Sequence, residues 1–245
     1  MKALISGRPA PFATAGERRW KDAIAEQMPA PSGEYSSGMV LDFSLRGGHG
    51  WPSHPDIDNL CEPVFSTIIN RLRWFGGSRT GLIWYLATKR PAADEGATIA
   101  LTPDPAPQVA SVVTAPSFAA TWSGGPPSSA RDVRFLAWVQ AQGAHAAEGQ
   151  LSVALEFGGS RVNIGDVATG PVKHIIDCLQ PVVGGPLGNP DDHRIVWLLV
   201  VKDVSGVGER CVRITVGQVA TGPPRPQAGV FRHGGDRGVR DGESA

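Results

Sequence analysis

The sequence has few cysteines and no long apolar run. Its three cysteines, Cys61, Cys178 and Cys211, are far apart, and no Cys-x-x-Cys pair occurs. That spacing excludes a cysteine zinc site or a disulfide framework as the basis of the fold, and it favours a reducing, cytoplasmic setting. No segment approaches the roughly 20 apolar residues that cross a bilayer, so we expect neither secretion nor membrane insertion.

Net charge is also absent. The 245 residues carry 23 Lys and Arg against 23 Asp and Glu, whereas proteins that bind phosphate backbones usually have a basic excess or a basic face. This balance counts against strong nonspecific DNA binding. The charge is uneven, however, because residues 1–90 hold 11 basic and 8 acidic side chains while residues 91–160 hold 2 and 6. A local basic face is therefore compatible with the sequence.

Several common site motifs are missing. There is no phosphate-binding loop, dinucleotide fingerprint or nucleophile elbow, and the 6 histidines show no metalloprotease spacing. Apolar residues make up 41% of the chain, which is enough for a buried core, and 31 Gly with 21 Pro predict many turns. The composition is typical of a soluble globular protein.

What the sequence does contain is an internal repeat with an offset near 112 residues. The most similar segments, 82–89 and 195–202, are apolar runs that share a Trp and end in Lys. The other matched segments are 6–9 with 123–126, 17–24 with 132–139, 41–45 with 153–157, and 64–68 with 175–179. Strand and helix periodicities give each copy the order β-α-β-α-β-β. The repeat predicts an α/β (α+β) fold built from two tandem domains.

The repeat divides the chain into four parts. Copy one covers residues 1–102 and copy two covers residues 118–217. Residues 103–117 contain four prolines and few charges, which indicates a linker. The tail, residues 218–245, has no apolar period, so we expect it to be disordered.

The sharpest local motif is Asp-Ile-Asp-Asn at residues 56–59, directly before an apolar helix pattern. In extended backbone alternate side chains share a face, so Asp56 and Asp58 would project together while Ile57 turns to the core. Two such carboxylates repel each other, and a hard divalent cation such as Mg²⁺ relieves that repulsion. The alternative is that Asp58 or Asn59 simply caps the helix.

A second group of charged residues lies in copy two. Asp191 and Asp192 follow a proline directly before the 195–202 run, and such a pair is ordinary turn chemistry. Lys173 and Asp177 are four residues apart on one face of a predicted helix, where a solvated ion pair is the simple interpretation. Neither pattern indicates a function when taken alone.

Together these segments resemble the RusA family of Holliday-junction nucleases, the crossover junction endodeoxyribonucleases. That family has a strand leading into Pro-Asp-x-Asp-Asn-Leu-x-Lys, a helix with Asp four residues after that Lys, and an Asp-Asp turn that opens a strand ending in Lys. The resemblance implies a small dimeric α/β fold whose aspartates bind Mg²⁺ to cut branched DNA in recombination and repair. It covers both copies, which would then form a pseudo-dimer within one chain.

Copy one carries only the first part of the family pattern. It has the paired aspartates and the Asn-Leu that follows them. Glu62 stands at the position of the family Lys, Ser66 at that of the helix Asp, and Ser78-Arg79 at that of the Asp-Asp turn.

Copy two departs from the pattern in the opposite way. It has the Lys, the helix Asp and the Asp-Asp turn, but Val167 and Thr169 replace the paired aspartates and Gly170 replaces the Asn. The resemblance thus implies catalytic residues divided between the copies: Asp56, Asp58, Lys173, Asp177, Asp191 and Asp192. The implied Mg²⁺ ligands are Asp56, Asp58 and Asp191.

This division leaves three functions open. The chain could be a degenerate resolvase that binds branched or duplex DNA without cutting it, which is our expectation from the sequence. It could be a Mg²⁺-dependent junction endonuclease with one composite site, which requires the carboxylates of Asp58 and Asp191 to approach within about 5 Å. It could instead bind another protein through the former dimer surfaces, a function that zero net charge favours.

Overall fold

The computed structural model describes residues 1–31, 37–47 and 55–219. Within them eight strands form one mixed sheet. The strands are β1 (Lys2–Ser6), β2 (Gly38–Arg46), β3 (Trp84–Ala92), β4 (Gly96–Thr102), β5 (Val113–Trp122), β6 (Leu151–Phe157), β7 (Ile195–Val201) and β8 (Val212–Val219). The expected disordered tail overlaps the end of β8, and from residue 220 onward it lies outside the described residues.

Five α-helices occur in the described part of the chain: α1 (Glu17–Gln27), α2 (Ile57–Phe65), α3 (Val133–Ala141), α4 (Pro171–Cys178) and α5 (Gln180–Val183). Short 3-10 turns lie at Trp74–Gly77, Arg79–Gly81, Val109–Ser111 and Asp192–Arg194. No helix among these residues combines the length and apolar character needed to cross a bilayer.

Helix α2 changes its winding after an internal proline. Pro63 has no N–H, so the carbonyl of Asn59 accepts instead from the N–H of Phe12 at 2.9 Å. Thr67 Oγ1 donates to the Pro63 carbonyl at 2.8 Å, and the helix continues as a π-helical segment, Ser66–Arg71. Three residues of this segment, Thr67, Ile68 and Ile69, are buried.

The repeat matches β1 with β5, β2 with β6, β3 with β7 and β4 with β8. With these matches, the order of the strands is the same when read from either edge of the sheet. It is β1-β4-β2-β3-β7-β6-β8-β5, with β2–β3 and β6–β7 parallel and every other pair antiparallel. At the centre Leu86 on β3 stands opposite Leu199 on β7, 113 residues later. Trp84 pairs with Val201, and Trp197, the counterpart of Trp84 in the repeat, pairs with Thr88.

The architecture is a mixed α+β fold with one eight-stranded sheet and few helices. Segments 1–102 and 118–217, which the repeat predicts as tandem domains, share this sheet. They also share one hydrophobic core, because Trp20 and Phe43 belong to the same buried cluster as Phe135. The β3–β7 pair therefore joins the two halves directly.

Residues 103–117, expected as a linker, pack on the opposite face of the sheet. Val112 is fully buried there in a small apolar cluster that includes Trp84. Trp84 Nε1 donates to the Asp104 carbonyl at 2.9 Å, and Ser152 Oγ donates to the Val112 carbonyl at 2.8 Å. Strand β5 begins inside this segment, so the prolines lead the chain across the sheet rather than away from it.

Candidate metal centre

Three carboxylates from the two halves meet beside the start of α2. One oxygen from each of Asp56, Asp58 and Asp192 lies within 4.8 Å of the others. Asp58 and Asp192 are buried, and Asp56 is half-buried. Across the described ranges this is the only group of three or more Asp, Glu, His or Cys side chains close enough to share a metal ion.

The first turn of α2 places two of the carboxylates. Asp56 is the N-cap residue and has extended backbone, yet its side chain makes no capping hydrogen bond. Asn59 Nδ2 donates to Asp56 Oδ2 at 3.1 Å, and Ile57 is buried in the core. The expectation of extended backbone as far as Asp58 is wrong, because the helix begins at Ile57. The N-cap position belongs to neither Asp58 nor Asn59.

A tight turn before β7 decides which of two adjacent aspartates joins the cluster. The N–H of Asp191 donates to the Gly184 carbonyl at 2.9 Å, and the N–H of Arg194 donates to the Asp191 carbonyl at 3.0 Å. The Asp191 carboxylate lies against Gly184, since a Cβ built there would be 3.1 Å from Asp191 Oδ2. Asp192 completes the acidic cluster in place of Asp191, because neighbouring residues of a turn project in different directions.

Lys173 connects the acidic groups. Its Nζ lies 3.0 Å from Asp58 Oδ2, 2.9 Å from Asp177 Oδ1 and 3.5 Å from Asp192 Oδ2. Lys173 and Asp177 share one face of α4, as their spacing predicts, but the Lys side chain is only 18% exposed. The pair is thus part of a buried network rather than a solvated ion pair.

A second buried ammonium, that of Lys89 in β3, directly after the last residue paired with β7, has a role that the sequence analysis missed. Its Nζ donates to the carbonyl of Pro55 at 2.8 Å and to that of His193 at 2.7 Å. These carbonyls flank Asp56 and Asp192 in the chain, so Lys89 ties the two acidic segments together. The available signal was the Lys that ends both apolar runs of the repeat.

Burial shifts the pKa values of several ionisable side chains in the cluster. Burial raises the pKa of Asp192 to about 8, and Asp56 and Asp58 add to that shift. Burial also raises the pKa of Asp58, although Lys173 opposes the change. Burial lowers the pKa of Lys89 to about 8 despite the nearby carboxylates. Burial opposes the charge of Lys173 too, but its carboxylate neighbours outweigh this and raise its pKa.

The donor set fits a divalent cation. Among the described residues, the four carboxylates of Asp56, Asp58, Asp177 and Asp192 lie near the ammonium groups of Lys89 and Lys173. Two oxygens bound to one Mg²⁺ are at most about 4.2 Å apart. The 4.8 Å spread of the three carboxylates is close to that limit, so small side-chain rotations would suffice. Oxygen-only ligands suit hard cations such as Mg²⁺, Mn²⁺ or Ca²⁺.

A cavity of about 840 Å³ lies in the first half of the chain, between residues of β2, α1 and the segment that precedes α1. Three guanidinium side chains line it, from Arg8, Arg19 and Arg46, and it reaches Pro55, the residue before Asp56. Arg8 is largely exposed and lies 3.8 Å from Glu95, the single carboxylate of the lining. The cavity is therefore basic, although the chain as a whole is neutral.

Comparison with known proteins returns no match. No protein-family model matches the chain, and no significant match is found among curated proteins or solved structures. The resemblance to the RusA family thus depends on the sequence motifs alone.

Proposed function

We propose that this protein is a Mg²⁺-dependent endodeoxyribonuclease for branched DNA, with one composite active site. Its residues are Asp56 and Asp58 from the first half and Lys173, Asp177 and Asp192 from the second. The observation that carries the proposal is the meeting of three carboxylates within 4.8 Å, although neither half holds all of them. Two incomplete sets of acidic residues together make one set with the composition of a metal-dependent nuclease site.

The residues have distinct tasks in this proposal. Asp56, Asp58 and Asp192 would hold the cation, which supplies a water-derived nucleophile and neutralises phosphate charge when bound. Lys173 orients Asp58 across 3.0 Å and places a positive charge where charge develops on the phosphate. Hydrolysis then forms one bond from the water oxygen to phosphorus and breaks the bond from phosphorus to one sugar oxygen, which takes up a proton.

The basic cavity supports a nucleic-acid substrate. A duplex carries about one negative charge per 1.7 Å of its axis, and arginines that neutralise phosphates account for much of nonspecific affinity. Arg8, Arg19 and Arg46 line a space that reaches the residue next to Asp56. A DNA strand held there would pass the acidic cluster, where its phosphodiester could react.

We also propose that the two halves form an intramolecular pseudo-dimer of RusA-like domains. The support is the strand order that reads the same from either edge, with Leu86 opposite Leu199 at its centre. A protein with twofold symmetry suits a DNA target with twofold symmetry, as dimeric DNA-binding proteins and their palindromic sites illustrate. A four-way junction is such a target.

A cleavage assay tests the proposed function. Four-way-junction and linear duplex DNA are incubated with the wild type, Asp58→Asn or Asp192→Asn, in Mg²⁺, Mn²⁺ or EDTA. Asp191→Asn is the matched control, because its carboxylate lies outside the cluster. We expect metal-dependent cutting of the junction, a loss of about 100-fold or more in both cluster variants, and near-normal rates in the control.

Two outcomes would contradict this proposal. Cutting that survives Asp192→Asn would show that the acidic cluster is not the active site. Junction binding without any cutting by the wild type would instead support a degenerate, binding-only resolvase. A protein that neither binds nor cuts DNA would favour the protein-interaction function.

A further inference from the structure

The place that corresponds to the metal centre in the other half carries a reversed ion pair. By the offsets of the repeat, Lys173 and Asp192 correspond to Glu62 and Arg79. Lys173 Nζ lies 3.5 Å from Asp192 Oδ2, and Arg79 Nη2 lies 2.5 Å from Glu62 Oε1. The contact is kept in both places while the sign of each member is exchanged.

The backbone around the two places is alike. Lys89 follows the central part of β3, and Lys202, its counterpart, follows β7. Lys89 donates to the carbonyl of His193, and Lys202 donates to the carbonyl of Thr80. These two carbonyls also correspond, 113 residues apart. The side chains of the two places can therefore be compared position by position.

The second place lacks the carboxylates that a cation needs. Val167 and Thr169 stand where the first half has its paired aspartates, and Val167 is fully buried. The nearby Asp166 is occupied by a local turn, in which its Oδ1 accepts from the N–H and the Oγ1 of Thr169, both at 3.1 Å. The second place therefore has no carboxylate at either position that corresponds to the paired aspartates of the first half.

Arg79 supplies a fixed positive charge instead. Its guanidinium donates to both carboxylate oxygens of Glu62, at 2.8 and 2.5 Å, and to the Gly165 carbonyl at 2.8 Å. The hydrogen bonds to Glu62 favour the charged form of a group that is cationic at all ordinary pH values. A metal ion would be repelled from this place, which the Arg79–Glu62 pair already neutralises and fills.

The arginines of the basic cavity also differ from their counterparts in the second half. Two of its three arginines, Arg8 and Arg46, correspond to glycines in the second half, Gly125 and Gly158. Among the described residues the acidic cluster is therefore complete in one place only, and of the three arginines only Arg19 corresponds to an arginine in the second half, Arg134.

We propose that one molecule of this protein cuts one strand of its DNA per encounter and so acts as a nicking enzyme. The inference rests on the proposed function. One water is consumed and one phosphodiester bond is broken, with the leaving sugar oxygen protonated. The equivalent strand of a symmetric junction stays intact, because the site that would face it holds an arginine–glutamate pair instead of a metal.

A supercoiled plasmid with an extruded cruciform tests this inference. One nick releases the supercoiling and the cruciform is reabsorbed, so linear plasmid forms only when two cuts occur within one encounter. We expect nicked circles without linear product in the first turnover. Linear product that persists when the wild type is diluted into a large excess of Asp58→Asn would overturn the inference. If linear product forms with the undiluted wild type but disappears on this dilution, the two cuts come from two different chains. That result supports one active site per chain.

Calorimetric titration with Mn²⁺ gives a second readout that needs no DNA. We expect all Mn²⁺ binding to be lost in Asp58→Asn and retained in Asp191→Asn, whereas a Mn²⁺ that Asp58→Asn still binds with the wild-type affinity would overturn the one-site inference. The two experiments distinguish failure of the proposed function from failure of the nicking inference. Absence of cutting on every DNA overturns the proposed function and the nicking inference with it, while paired cutting overturns the nicking inference alone.

Discussion

At the residue scale, the candidate centre depends on small differences between neighbours. Asp191 and Asp192 are adjacent, yet only Asp192 joins the acidic cluster, because the turn before β7 directs Asp191 towards Gly184. Likewise, one exchange of signs separates the Lys173–Asp192 contact from the Glu62–Arg79 contact. Whether each of these two places could bind a cation depends on the charges of the buried side chains there.

The Glu62–Arg79 pair leads to a prediction about stability. Both side chains are largely buried, so Arg79→Met should leave the Glu62 carboxylate without its partner and lower the free energy of unfolding by about 3–5 kcal/mol. Glu62→Met combined with Arg79→Met should recover most of that loss, since it removes both charges. Urea denaturation measures each value, and additive losses in the double variant would contradict the prediction.

A surface pair provides the matched control for that experiment. Arg90 lies 3.3 Å from Asp42, but its side chain is 57% exposed. Arg90→Met should therefore change the free energy of unfolding by only about 0–1 kcal/mol.

At the scale of elements, the site is assembled from helix starts, strand ends and one turn. Helix α2 contacts both β3 and β7, and this contact brings the first half's aspartates to the second half. Because β3 and β7 run antiparallel, the end of β3 lies beside the start of β7. Lys89 can thus reach the carbonyls on both sides of the cluster.

The start of helix α3 leads to a prediction about the stability that an N-cap residue contributes. Asp132 is the N-cap, and its Oδ1 accepts from the N–H groups of Arg134 and Phe135 at 3.1 and 3.3 Å. Asp132→Ala should lower the free energy of unfolding by about 1 kcal/mol at neutral pH. Hydrogen bonds from the Arg134 side chain, and then from backbone N–H groups, hold the pKa of Asp132 below its ordinary value.

The sign of the pH dependence follows from that lowered pKa. The folded protein holds the Asp132 carboxylate ionised more strongly than the unfolded chain does, so its stabilisation is present above about pH 4 and is lost as the pH falls through the lower, folded-state pKa. Urea denaturation at several pH values should show the wild type and Asp132→Ala converging in acid. A difference that grows towards low pH would contradict this.

The arginine-lined cavity leads to a prediction about DNA affinity. Arg8→Ala should weaken binding to junction and duplex DNA alike and reduce the slope of log affinity against log salt by about one unit, because one phosphate contact is removed. Fluorescence anisotropy over a salt series measures that slope. Arg213→Ala, which removes an arginine paired with Glu156 in the other half, is the control and should leave the slope unchanged.

At the scale of the whole molecule, the two halves share one sheet and one core. We therefore expect a single unfolding transition in which tryptophan fluorescence and far-ultraviolet circular dichroism change together. Calorimetry should give equal calorimetric and van't Hoff enthalpies. Two separate transitions would mean that the halves are independent domains, joined only weakly through β3 and β7.

The sequence predicts the elements better than it predicts the site. The apolar run 195–202 contains the whole of β7, the run 82–89 supplies the first six residues of β3, and Ile175 and Ile176 of the matched segment 175–179 are buried in α4. The error at Asp58, expected in extended backbone, arose because period-two reasoning was applied where a helix had already begun. The sequence named Asp191 as a ligand, whereas Asp192 lies in the acidic cluster; adjacent acidic residues give no sign of which one a turn directs inward.

The sequence by itself determined the repeat, the alternation of strands and helices, and the division of acidic residues between the copies, since these depend on local composition and spacing. Only the tertiary structure decided that Asp56 and Asp58 meet Asp192, with Lys173 between them. The physical reason is the register of β3 on β7, centred on Leu86 and Leu199. That register sets which ends of the two halves are neighbours, and local periodicity holds no information about it.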